Sequence, residues 1–227
     1  MDNILTLWPK RLKSHHDAAS LVEKYQKAEK ATEADFSAKL EERPENNPKA
    51  MYVHVPWCDR ICSFCNMNRK QADAALTAYP ARLAAELEKY GKTRYLRESR
   101  FEAIFFGGGT PTVLSTEQLA TVLSALRKNV HLAEDCEFTF ESTLHNLQED
   151  KIGLLTQYGV NRISVGIQTF SERGRQFYNR TYNRQQALDK LRTLQKLFHG
   201  DVCVDIIYNF PGSCSFRNFQ KAGSKRF

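Results

Sequence analysis

Apolar and polar positions change period repeatedly along this chain. MYVHVPW (51–57) is β-branched and aromatic, the composition of a strand. AALTAYPARLAAELEKYGK (74–92) spaces its apolar residues at three and four, which predicts a helix. FEAIFFGGG (101–109) reads as a second strand ending in glycines. STEQLATVLSALRKNV (115–130) predicts a second helix, with Ser115 and Gln118 placed as a capping box. EFTFEST (137–143), EDKIGLLTQYG (149–159) and NRISVGIQTF (161–170) continue as strand, helix and strand, with Gly159 as the helix stop. Helical periodicity runs through 172–198, and DVCVDIIYNF (201–210) predicts a fifth strand.

Strands alternating with helices argue for an α/β fold, a parallel sheet with helices outside it. Such units present their chemistry at the C-terminal ends of the strands. Cys58 to Cys65, the glycine run, Glu141, Gln168 and Asp205 all stand there. Residues 1–50 differ in character. SHHDAASLVEKYQKAEKATEADFSAKLEE predicts one or two amphipathic helices, and ERPENNPKA reads as a linker. The expected organisation is a helical extension and linker (1–50), a core (51–212) and a tail (213–227).

Length and composition narrow the class. The 227 residues suit one domain or one and a half, and 41% hydrophobic with 26% charged is ordinary for a globular chain. Collagen, low-complexity disorder and a disulfide-dense mini-protein are excluded. No apolar run approaches the roughly 20 residues of a membrane span. The start, MDNILTLWPKRLK, lacks the features of a signal peptide, so a cytosolic location is expected. The net charge is +7, but SCSFRNFQKAGSKRF (213–227) supplies Arg217, Lys221, Lys225 and Arg226 and no acid. No basic stripe interleaved with aromatics lies in the body, so no nucleic-acid partner is expected.

Cysteine spacing carries the chemistry. Cys58, Cys62 and Cys65 form CxxxCxxC just after the first strand, while Cys136, Cys203 and Cys214 are scattered. In a reducing compartment, clustered cysteines point to metal rather than disulfides. Thiolates suit zinc or an iron–sulfur cluster. Three ligands leave an open position, as a catalytic centre needs. The competing reading is a zinc knuckle completed by His54, although His54 lies inside the strand on the face of Tyr52.

CxxxCxxC resembles the signature of the radical S-adenosylmethionine (SAM) enzymes. YVHVPWC, FFGGGTPT, NRISVGIQTF and VDIIYNFPG resemble, in that order, segments of its branch of oxygen-independent coproporphyrinogen III oxidases and heme chaperones. The likeness covers about 51–212. It implies a partial (β/α)6 barrel with about five of six repeats present. It also implies a [4Fe–4S] cluster held by Cys58, Cys62 and Cys65, with SAM on the fourth iron. One electron from the reduced cluster would split SAM into methionine and a 5′-deoxyadenosyl radical. The partners implied are a tetrapyrrole or heme and an electron donor such as flavodoxin or ferredoxin.

The resemblance assigns further residues. Gly108, Gly109 and Thr110 correspond to the segment that binds the amino group of SAM, where the alternative is a tight turn before Pro111. Glu141 would accept hydrogen bonds from ribose or the amino group, where the alternative is a solvated strand end. Tyr52 matches a contact to the first SAM and Phe64 a residue beside the cluster, or both are core. Gln168, Arg180 and Asp205 match contacts to a second SAM, or Arg180 is a surface ion-pair partner. The chain departs from the oxidase pattern in two places. Met67 stands where the oxidases carry a fourth cysteine, and no proline follows the acid in ESTLHN. VPWC and CNMN lean toward the heme-chaperone and other heme-related members. After Gly212 the pattern ends, which suggests a truncation or a frame change that removes the sixth strand.

Overall fold

A computed structural model describes residues 31–207. The N-terminal unit, 1–42, shows one helix among its described residues: α1 (Glu33–Glu41), started by a Thr32 capping box. The expected helical stretch before residue 31 and the tail after 207 lie outside the described residues.

The second unit begins at Arg43 and holds β1 (Ala50–Val55) and a short β2 (Trp57–Cys58). Pro56 has no N–H to give a ladder, so it ends β1 there and splits the expected 51–57 strand. β2 pairs with β3 (Lys70–Gln71), and this pair closes the cysteine loop at its base. Helix α2 (Tyr79–Gly91) starts on Pro80, and the short α3 (Arg94–Glu98) follows. Then come β4 (Phe101–Gly108), α4 (Thr116–Asn129), β5 (Leu132–Ser142), α5 (Glu149–Gln157) and β6 (Arg162–Gln168). Last are α6 (Glu172–Phe177), α7 (Arg184–Leu197) and β7 (Asp201–Ile206).

The sequence pattern needs three further adjustments. β5 starts at Leu132 rather than 137, because pairing with Phe101 carries the strand through the polar Glu134 and Asp135. Residues 172–198 form two helices rather than one. The chain takes a left-handed turn at Asn179 (φ 52°), and Asn183 with Gln186 caps a new start. Helix α3 adds an element that periodicity does not predict.

One parallel sheet, in the order β1-β4-β5-β6-β7, organises this unit. One face of its strands is apolar and buried, while the other carries polar residues, among them Tyr52, Thr139, Glu141, Ser164 and Asp205. Phe106, Phe138, Phe140, Ile163 and Val165 are buried, and the Phe106 and Phe140 rings stack at 4.4 Å. Helix α4 meets them with Leu119, Val122, Leu123 and Leu126, a stripe at i, i+3, i+4 and i+7. Each of those leucines gains about 1.5–3 kcal/mol from burial. The Ser115–Gln118 capping box forms as the sequence predicts, and Gly159 sits at φ 83° past α5.

Register fixes what stands at the sheet's C-terminal edge. Val55 pairs with Gly108, Glu141 with Ser164, and Gly166 with Asp205. Among the described residues no helix is long and apolar enough to cross a membrane.

Candidate functional site

That edge opens into a cavity of about 230 Å³. Its wall holds all three clustered cysteines, Phe64, Gly108, Gly109, Thr110, Glu141, Gln168, Arg180 and Asp205. Residues far apart in sequence meet here because each follows or ends a strand of one parallel sheet. Tyr52 does not join the wall. It is 53% exposed, and its hydroxyl pairs with His54 Nδ1 at 2.9 Å.

The cysteine loop is tied at its base. Lys70 N donates to Pro56 O at 2.7 Å and Ala72 N to Cys58 O at 2.8 Å. Thr110 N donates to Trp57 O at 2.8 Å, and its hydroxyl approaches Cys58 Sγ at 3.6 Å. Arg69 donates to Cys65 O at 2.7 Å and, at 3.5 Å, to Cys62 O. Phe64 packs edge-on against Tyr178 at 4.9 Å. Burial pushes the Cys58 thiol up; the Thr110 hydroxyl opposes this, and Cys65 and Cys62 add to it. A metal centre overrides that preference, because a coordinating thiol loses its proton.

The donor set discriminates between metal types. His54 Nε2 pairs with the Asn68 carbonyl at 2.9 Å, so both ring nitrogens are engaged within the protein. That removes the fourth ligand of the zinc-knuckle reading. Among the described residues no three His, Cys, Asp or Glu side chains converge tightly enough to grip a single ion. Three thiols around one cavity instead suit a cluster that takes each sulfur on a different iron.

Gly108 takes φ +111°, which L side chains rarely adopt. A Cβ there would lie 2.5 Å from the His54 ring, and one on Gly109 would lie 2.4 Å from Trp57 O. The glycine run thus lets β4 press against the cysteine-bearing segment. The Gly108 N–H donates to Glu141 Oε2 at 3.3 Å.

Glu141 is no solvated strand end. Burial raises its pKa above the ordinary 4.5; the Gly108 N–H opposes this, and the nearby Asp205 charge adds to it. Ser164 Oγ holds both Asp205 oxygens, at 3.1 and 3.0 Å. Gln168 takes a left-handed backbone (φ 69°). Arg180 is not a surface ion-pair partner. Its Nη2 donates to Gly166 O at 2.5 Å and its Nη1 lies 3.3 Å from Cys62 Sγ. The cavity therefore offers three carboxylates (Asp59, Glu141 and Asp205) and several guanidinium groups, Arg180 among them, as well as the thiols. That set complements a ligand carrying both an ammonium and a carboxylate.

Three wall residues escape sequence reasoning. Ser164 orients Asp205. Arg69 secures the cysteine loop. Arg175, 4% exposed, donates to the carbonyls of Ile167, Thr169 and Tyr182, tying the segment that carries Gln168 and Arg180. The polar Ser164 between the buried Ile163 and Val165 is the one available signal. The arginines act on backbone carbonyls, which leave no mark in sequence.

Residues 52–213 match the model of the radical SAM superfamily. An anaerobilin synthase from Escherichia coli O157:H7 is 33% identical over 166 residues, covering 72% of this chain and 37% of that protein. A heme chaperone from Lactococcus lactis is 32% identical over 166 residues, covering 73% and 42%. The solved structure of coproporphyrinogen III oxidase from Escherichia coli, described as a radical SAM enzyme, superposes with a TM-score of 0.71 at 25% identity. That superposition covers 81% of this chain and 42% of the oxidase. The chain thus spans about two fifths of the length of the curated relatives it matches.

Proposed function

The chain belongs to the radical SAM superfamily, and from that premise we propose that its cavity holds a [4Fe–4S] cluster and SAM and serves tetrapyrrole chemistry. The observation that carries this is the shared wall: three thiols, the glycine strand end, Glu141, Asp205 and Arg180 line one cavity. Cys58, Cys62 and Cys65 ligate the cluster. When bound, the cluster supplies one electron, drawn from a carrier such as flavodoxin or ferredoxin, that splits SAM into methionine and a 5′-deoxyadenosyl radical.

The chain's own residues bind and orient. Gly108, Gly109 and Thr110 bring backbone close to the amino-acid end of SAM. Glu141 accepts from its ammonium or ribose, and Tyr52 steadies the Gly108 backbone through His54. Phe64 screens the cluster from water on the Tyr178 side. Gln168, Arg180 and Asp205 form the far wall, where a second SAM or the substrate is held. The tetrapyrrole assignment is supported by the names of the relatives, an anaerobilin synthase, a heme chaperone and a coproporphyrinogen oxidase.

The test loads the chain anaerobically with iron and sulfide and adds reductant and SAM. Coproporphyrinogen III and heme are then offered separately. Decarboxylated coproporphyrinogen assigns an oxidase, and altered heme assigns a heme-modifying enzyme. Stoichiometric heme binding without conversion assigns a carrier. Neither binding nor conversion overturns the tetrapyrrole assignment.

A further inference from the structure

Arg69 stands where the cysteine loop returns to β3. Its Nη2 is fixed on the carbonyls of Cys65 and Cys62, two of the three cysteine positions. Its Nε–H is sealed from solvent and has no acceptor among the described residues. Ser99 Oγ is the other such atom among the described residues, and Ser99 is no part of the cavity wall, whereas Arg69 is. A buried N–H without an acceptor is a costly feature that folded proteins rarely keep. Arg69 itself is among the residues that line the thiol-lined cavity. A cluster would bring inorganic sulfides and thiolates, all hydrogen-bond acceptors, into that space. Hydrogen bonds to cluster sulfurs and nearby positive charge favour the more negative, reduced state.

We infer that Arg69 is a positioning residue for the cluster: it fixes the loop through the Cys62 and Cys65 carbonyls and keeps its Nε–H for a cluster sulfur, raising the reduction potential. This rests on the reading of the cavity as a [4Fe–4S] site. Arg180 approaches Cys62 Sγ as well, but it also binds the Gly166 carbonyl and leaves no sealed N–H unpaired.

The experiment compares the full chain with Arg69→Met and Arg69→Lys after anaerobic loading, without SAM. Iron and sulfide content are measured first, then the midpoint potential by redox titration followed by electron paramagnetic resonance. In Arg69→Met the ratio of reduced to oxidised cluster at a fixed potential should fall about tenfold, taken from the low end of the effect on metal affinity or activity when an outer-shell partner is removed. For a one-electron couple that is about 59 mV more negative. Arg69→Lys keeps the charge but loses the planar fork, so its midpoint should fall between the two. Wild-type potential in a fully loaded Arg69→Met overturns the inference. If Arg69→Met loads no cluster, Arg69→Lys decides: a lowered midpoint supports the inference, and a wild-type midpoint overturns it. A wild-type chain that takes up no cluster overturns the cavity reading itself, a failure distinguishable from that of Arg69 alone.

Discussion

Gly108→Ala puts the close approach of β4 to the cysteine-bearing segment to a quantitative test. Two separate penalties follow from the structure. The backbone at φ +111° is nearly closed to a residue with a Cβ, which costs about 1–3 kcal/mol. The new methyl would also lie 2.5 Å from His54 Cε1. That ring cannot simply swing away, because Tyr52 and the Asn68 carbonyl hold its two nitrogens. Forcing a methyl into such a contact costs about another 1–3 kcal/mol. The sum, about 2–6 kcal/mol, is a large share of the 5–15 kcal/mol that stabilises a typical domain. Urea unfolding followed by circular dichroism reads it. His54→Ala removes the ring but not the backbone strain, so Gly108→Ala in that background should cost only about 1–3 kcal/mol. The difference is a coupling energy of about 1–3 kcal/mol in a double-mutant cycle. A Gly108→Ala chain within about 0.5 kcal/mol of wild type, or a cycle with no coupling, would refute the packing described for this strand end.

Two further outcomes are expected. Burial holds the Glu141 pKa above 4.5, so its stabilising contribution is complete below that value and is lost as pH rises through the raised folded value. Glu141→Gln should therefore gain stability on wild type as pH rises from 4.5 to 7, read as urea midpoints; a gap that stays constant with pH contradicts it. Phe140→Ala removes a fully buried ring stacked on Phe106 and should cost about 3–5 kcal/mol in the same assay, with a loss under 1 kcal/mol contradicting the core described here.

The site was legible to the degree that it is local. Three cysteines in eight residues announce themselves by spacing, and glycines after an apolar strand announce a close approach. The strand ends were equally readable, because a parallel sheet gathers its C-terminal ends and so brings Glu141, Gln168 and Asp205 to one edge. The misses have one physical origin. Arg69 and Arg175 work by donating to backbone carbonyls that only the folded chain brings within reach. The break between α6 and α7 depends on a left-handed Asn179, which helical periodicity over 172–198 conceals. Tyr52 shows the reverse case: a residue expected in the site is exposed outside the cavity wall, its hydroxyl on His54.

The most direct test of the cluster and SAM assignment is the formation of 5′-deoxyadenosine from SAM by the anaerobically loaded, dithionite-reduced chain, with Cys62→Ala alongside. The cavity geometry predicts product from the wild type and none from Cys62→Ala. Cluster-loaded, soluble wild type that yields no 5′-deoxyadenosine would contradict it.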